Sequence, residues 1–305
     1  MVKIFETISA WHRLFRSEHA LITFLGVLVG AMLGIRDFRI PIDAFSVNSI
    51  AGLDLPFFLW IIVAAIGPAL ITLAAFALND YFGYETDRAN KRKDRPIVAG
   101  EIKRQHALYA ALVLFAVGLY LTYLVNFTVF ALSAVYVALC FLYDNFLKKL
   151  PLAGNAFIAL TMSGPFIYGS LTVSTGVSPV VALLAAIAFL VGLGRELLNT
   201  LRDIEGDKKI GASTLPMLLG GKNTAILSSL LIISAVLLSL LPFFGSYLRA
   251  PFFYAVFLIP CNVLLLLTVY KALKSQDNLS LKQARNYTLA ALGCGVLAFL
   301  SLAVM

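Results

Sequence analysis

Between Leu59 and Leu78 the chain reads LWIIVAAIGPALITLAAFAL, without one charged side chain. A run of that kind has few folded fates. About 20 apolar residues at 1.5 Å each span a hydrocarbon layer about 30 Å thick, and a helix satisfies its own backbone there. The same ruler gives nine spans, near 20–35, 55–78, 106–125, 127–143, 152–173, 179–198, 224–245, 251–270 and 287–304. The expected fold is therefore all-α, a multi-pass membrane bundle forming a single domain over 1–305. Composition agrees: 13% of residues are charged, against about 25% in soluble domains, and mean hydropathy is +0.90. Pro68, Pro165 and Pro260 fall inside spans, where neighbouring helices can re-satisfy freed carbonyls.

The cations set the orientation. With nine spans, 21 of the 24 Lys and Arg fall on one side, and Arg36, Arg39 and Arg249 alone on the other. The basic side, with the N-terminus and the acidic loops, is expected to be cytoplasmic, placing the chain in the cell membrane. The net charge of +8 gathers at span ends rather than on a soluble face, so no nucleic-acid partner is implied. Cys140, Cys261 and Cys294 lie far apart in apolar runs, without metal or disulfide spacing. The first 19 residues carry five charges and read as an interfacial amphipathic helix rather than a cleavable signal.

Beyond Leu78 comes NDYFGYETDRANKRKDRPIVAG, and 120 residues later NTLRDIEGDKKIGASTLPMLLG. At that offset Asn79 meets Asn199, Asp87 meets Asp207, Arg88 meets Lys208, Pro96 meets Pro216 and Gly100 meets Gly220; Gly83 meets Asp203. The chain is thus expected to hold two repeat units, near 55–173 and 179–304. Parallel repeats tend to place a functional site at their interface, so a central cavity open to the cytoplasmic side is expected.

Residues four and eight apart share a helical face, which lines up Asn79 with Asp87, and Asn199 with Asp203 and Asp207; Asp80 lies roughly on the Asp87 face. Stacked carboxylates repel unless a cation joins them. Mg2+ takes oxygen ligands, typically one or two carboxylates plus substrate phosphates. Arg88, Lys91, Arg95, Lys148, Arg202 and Lys208 suit the remaining phosphate oxygens, arginine as a fork and lysine as a point charge. A plainer reading is a hydrated loop with asparagines at helix ends; the echo 120 residues on weighs against it.

NDYFGYETD with DRANKRKDRPIVAG resembles the first aspartate-rich motif of the UbiA superfamily of membrane-embedded prenyltransferases, and DIEGDKKIGASTLP its second. YDNFLKK at 143–149 is similar to that family's Tyr-Ser-x-x-Leu-Lys element, and RSEHALITFLGVLVGA to its N-terminal arginine and first span. The resemblance covers essentially the whole chain. It implies a UbiA-type bundle, two four-helix repeats plus one helix, and Mg2+-dependent transfer of a prenyl group from an isoprenyl diphosphate to a lipophilic acceptor. It implies metal ligation by Asn79, Asp80, Asp87, Asn199, Asp203 and Asp207. Diphosphate binding would fall to Arg16, Asn145 and Lys148 with the cations above, and catalytic roles to Asp87, Asp207, Tyr143 and Lys148. Gly83 stands where the family carries its central Asp, and Asp144 where Ser is usual. Either Asp80 or Glu85 takes that role, or the second motif carries most of the coordination.

Departure of diphosphate would leave an allylic cation, which survives only in a dry cavity. The acceptor is left open: an aromatic quinone precursor, or the glyceryl-phosphate lipid of an archaeal-type enzyme. Membrane lipids are the remaining partners. A secondary transporter is the competing class, but its ionisable residues should sit at the bilayer midplane. A CDP-alcohol phosphotransferase is disfavoured because its DGxxAR opening is absent.

Overall fold

A computed structural model describes residues 2–40, 48–50, 53–89, 91–204, 208, 211, 213–244 and 251–304. The regular structure of the described residues is helical apart from a short antiparallel pair, β1 (Asn48–Ile50) and β2 (Leu53–Leu55). The helices are α1 (Val2–Phe15), α2 (Ser17–Phe38), α3 (Phe57–Ala89), α4 (Arg104–Val125), α5 (Phe127–Asn145), α6 (Ala153–Val173), α7 (Pro179–Arg202), α8 (Leu215–Leu238), α9 (Pro251–Lys274) and α10 (Asn278–Val304). Short 3-10 turns add Leu147–Lys149 and Leu241–Phe244. Nine segments among the described residues are long and apolar enough to cross a membrane, the number read from the sequence. The chain is a multi-pass membrane protein.

Two helices differ from the expected spans in a way that matters. α3 runs 33 residues, past the apolar span's limit at Leu78 to Ala89, so the whole of NDYFGYETD is helical, as the expected shared face of Asn79 and Asp87 requires. The polar segment prolongs the membrane helix because nothing in it breaks one. Gly83 is tolerated, and the chain turns only at Lys91, whose φ is 54°. α7 instead ends at Arg202, and Asp203 is its C-cap with φ −93° and ψ 9°. The helix that carries Asn199 therefore ends before Asp203; Asp207, the third residue of the expected face, lies outside the described residues.

The chain forms two compact units. The first comprises residues 1–28 and 40–146. In it α3 packs on α4 and α5, and α1 rests on α3. The α3–α4 contact is backbone-close. A Cβ on Gly67 would meet Thr122 Cγ2 at 2.9 Å, and one on Gly118 would meet Ile71 Cγ1 at 2.7 Å. Membrane helices lack a hydrophobic drive to associate and gain from such small-residue seams. α4 and α5 are separated by Asn126 alone: its N–H reaches Thr122 O at 3.4 Å, and its side chain accepts from Val129 N at 3.0 Å.

The second unit comprises residues 29–39 and 147–305. α9 pairs with α10, and α7 packs on α6, α8 and α10. Its apolar centre includes Val29, Leu33, Phe166, Val181, Leu184, Tyr254, Leu258 and Phe299. The buried Tyr254 hydroxyl donates to Ser239 O at 2.7 Å, as a polar tip in this setting must. Pro68, Pro165 and Pro260 all lie within helices. Large apolar side chains on outer faces, among them Tyr109, Val113, Leu230 and Ile259, are exposed and suit contact with lipid.

The internal echo extends to the backbone. Gly100 and Gly220 each adopt φ 78°, the left-handed region glycine enters without a Cβ penalty. Pro96 and Pro216, four residues earlier, are both buried.

Candidate active site

In the first unit, Asp80 is the best-buried acid among the described residues, at 2% exposure. Its Oδ1 accepts from Arg16 Nη2 at 2.8 Å and Arg95 Nη1 at 3.1 Å. Arg95 also brings Nε within 3.6 Å of Asp87 Oδ2, and Arg92 Nη1 lies 3.9 Å from Asp87 Oδ1. Three elements create this cluster. α3 supplies the carboxylates, the turn after it supplies Arg92 and Arg95, and the α1–α2 junction supplies Arg16. Arg16 has a left-handed backbone, φ 47°, costly for a residue with a Cβ. The ion pair with Asp80 and the face of Phe76, 4.5 Å from the guanidinium carbon, hold the side chain there.

The other first-unit candidates divide. Asn79 Nδ2 donates to Asp144 Oδ1 at 2.6 Å, joining the first motif to the middle one. Asn145 turns its Nδ2 to Phe141 O on its own helix, at 2.8 Å. Tyr143 is half-buried on α5, whereas Arg88 and Lys91 are exposed. Glu85, an alternative for the missing central acid, is 70% exposed and lies 3.6 Å from Arg104. Gly83 is buried, and a Cβ there would stand 3.6 Å from Asp87 Oδ2.

In the second unit, Asn199 Nδ2 donates to Glu196 Oε1 at 2.9 Å, and Arg195 Nη1 donates to the same oxygen at 3.2 Å. Asn155 of α6 donates to Thr200 Oγ1 at 2.6 Å, fixing the end of α7. Arg202 grips its neighbour Asp203 by two 2.8 Å hydrogen bonds, one to each carboxylate oxygen. Lys148 is half-buried and Lys208 exposed. Sequence reasoning gave no role in the site to Arg195, Glu196 or Asn155. The signal was there for the first two, since charged residues inside a span are costly and are kept for a purpose.

No three His, Cys, Asp or Glu side chains converge on one point among the described residues. The described residues alone therefore form no all-protein cage, but Mg2+ does not call for one; it is commonly held by one or two carboxylates and substrate phosphates. Asp80 Oδ2 is buried without a hydrogen-bond partner, and a second carboxylate, Asp87, lies against the same Arg95 that Asp80 holds. Such a set fits a hard cation completed by an anion, and the arginines beside it fit the anion.

The sequence profile described as the UbiA prenyltransferase family matches residues 44–292. The digeranylgeranylglyceryl phosphate synthase of Archaeoglobus fulgidus is 34% identical over 290 residues, covering 94% of this chain and 92% of that protein. Among solved structures, a UbiA homolog from Aeropyrum pernix K1 superposes with a TM-score of 0.69 at 22% identity, over 92% of this chain and 97% of that one. A UbiA homolog from Archaeoglobus fulgidus bound to GPP and Mg2+ gives 0.62 at 17% identity, over 97% of this chain and all of that one (100%).

Proposed function

The chain belongs to the UbiA prenyltransferase family, and from that premise we propose that it joins a prenyl group from an isoprenyl diphosphate to a prenylated glyceryl phosphate, releasing diphosphate. The observation that carries the acceptor is the near full-length match to the synthase from Archaeoglobus fulgidus. A quinone-type aromatic acceptor is the second reading, and nothing in the site favours it.

In this reading Mg2+ supplies charge neutralisation on the departing diphosphate. Asn79, Asp80 and Asp87 would hold it in the first motif, and Asn199, Asp203 and Asp207 in the second; the neighbour bound to GPP and Mg2+ supports that choice of ion. The protein's own part is electrostatic preorganisation. Arg16 and Arg95 are already fixed by the buried Asp80, so they meet the diphosphate without reorganising. Arg88, Lys91, Lys148, Arg202 and Lys208, with Asn145, would bind phosphate oxygens, and Tyr143 would act in catalysis. The apolar helices accept the prenyl chain, each buried CH2 contributing about 0.8 kcal/mol, and exclude the water that would capture an allylic cation. We place the N-terminus and both acidic motifs on the cytoplasmic side.

The test is incubation of the purified protein with a labelled prenyl diphosphate, Mg2+, and either a prenylglyceryl phosphate or an aromatic acid. The expected product is a diprenylglyceryl phosphate with one diphosphate per transfer, abolished by EDTA and restored by Mg2+. Product only from the aromatic acid would overturn the acceptor, and full activity in EDTA would overturn the metal.

A further inference from the structure

Each acidic motif carries one asparagine at the same repeat position, and each asparagine makes the same kind of bond. Asn79 Nδ2 donates to Asp144 Oδ1 at 2.6 Å, and Asn199 Nδ2 to Glu196 Oε1 at 2.9 Å. The two acids are not equivalent in sequence. Asp144 comes from a different helix, α5, whereas Glu196 lies three residues before its asparagine on α7. Position 76, which matches Glu196 at the 120-residue offset, is a phenylalanine. The two halves thus reach one local chemistry by different routes.

That chemistry has a consequence for a carboxamide. Its two ends look alike in shape but not in charge: the NH2 only donates and the carbonyl oxygen only accepts. A carboxylate accepts only, so it decides which way the amide faces. With the NH2 committed to Asp144 or Glu196, the carbonyl oxygen is turned to the opposite edge of the amide. That oxygen is the one atom of an asparagine side chain able to ligate a hard cation.

We propose that Asp144 and Glu196 are paired positioning residues, each locking the adjacent motif asparagine with its carbonyl oxygen presented to the metal–diphosphate. This inference rests on the proposed function and adds two residues to its machinery. In the second unit the bond has a further tie, since Arg195 donates to the same Glu196 oxygen at 3.2 Å and limits where that carboxylate can swing. In the first, the short contact crosses from α3 to α5, so it also sets the middle motif against the first. Outer partners of this type orient ligands, and their loss typically costs about 10- to 100-fold in metal affinity.

A charge swap separates positioning from mere packing. In Asp144→Asn the amide of Asn79 faces another amide and is free to turn. In the double variant Asn79→Asp/Asp144→Asn the hydrogen bond returns with its direction reversed, and a carboxylate at 79 offers oxygen whichever way it faces. Glu196→Gln and Asn199→Asp/Glu196→Gln make the matching pair. The readout is Mn2+ binding to the detergent-purified full-length chain, followed by electron paramagnetic resonance with and without inorganic diphosphate, beside a thermal unfolding curve for each variant. Each single variant is expected to weaken Mn2+ binding by about tenfold or more, and each swap to recover to within a few-fold of wild type. Single variants that bind Mn2+ as wild type does would overturn the proposal. So would swaps that remain as weak as the singles while unfolding at the wild-type temperature. A wild-type chain that transfers prenyl groups yet gives those results would leave the proposed function standing. A wild-type chain with neither Mn2+ binding nor transfer would remove that reading and this one together.

Discussion

Asp80 is a carboxylate inside a membrane-spanning helix that meets two guanidinium groups, with its side chain 1% exposed. Removing one partner of a buried pair strands the others, at a cost of about 3–5 kcal/mol. Asp80→Asn keeps the shape and removes the charge, leaving Arg16 and Arg95 facing each other. A lower detergent unfolding temperature is expected, with a rise of about tenfold or more in the KM for the prenyl diphosphate, since every 1.4 kcal/mol of lost binding is tenfold. Unchanged KM would show that the arginines need no carboxylate to hold them. Asp94, in the turn after α3, behaves differently. Its hydrogen bond from Arg92 holds the carboxyl below its ordinary value. A depressed carboxylate contributes stability above its unfolded value and loses it as pH falls through the folded one. The Arg92–Asp94 link should therefore persist from neutrality to mildly acidic pH, and Asp94→Asn should leave the pH–rate profile between 5 and 8 (roughly) unaltered.

The helices test the packing argument. Gly118→Val pushes a side chain into Ile71 and the backbone of Gly67. The α3–α4 seam should open and the protein should lose yield and unfolding temperature. Gly164→Ala, with nothing within 4 Å, should not. Gly100→Ala and Gly220→Ala force a Cβ into φ 78° and should each cost about 1–2 kcal/mol. The helices themselves were legible because apolar runs of span length have no other fold in lipid. Their polar ends were legible only from side-chain spacing: the shared face of Asn79 and Asp87 needs the helix to run past Leu78, as it does. Hydropathy falls at Leu78 although the helix continues to Ala89, since hydropathy measures the solvent and hydrogen bonding decides the helix. Periodicity could not show that α7 stops at Arg202 with Asp203 as its cap. In the site, the motif carboxylates and their cations stood out by repetition. Asp144's bond to Asn79 did not, because it joins helices 65 positions apart in sequence. Asn155, reaching Thr200 from α6, was hidden for the same reason.

Over the whole molecule, the partition of cations predicts sidedness. A cysteine introduced at the exposed Lys93 in intact cells should react with an impermeant maleimide only after the membrane is opened, while one at Arg39 should react at once. The opposite pattern would invert the protein. Topology also bears on how the chain is made. With Asn126 as the sole residue between α4 and α5, no hydrophilic stretch exists for a ribosome-bound translocation machine to export before the next span emerges. The two segments must enter the bilayer together as one preformed hairpin, and an epitope tag spliced at that tip would impose a topogenic step the native chain never undergoes.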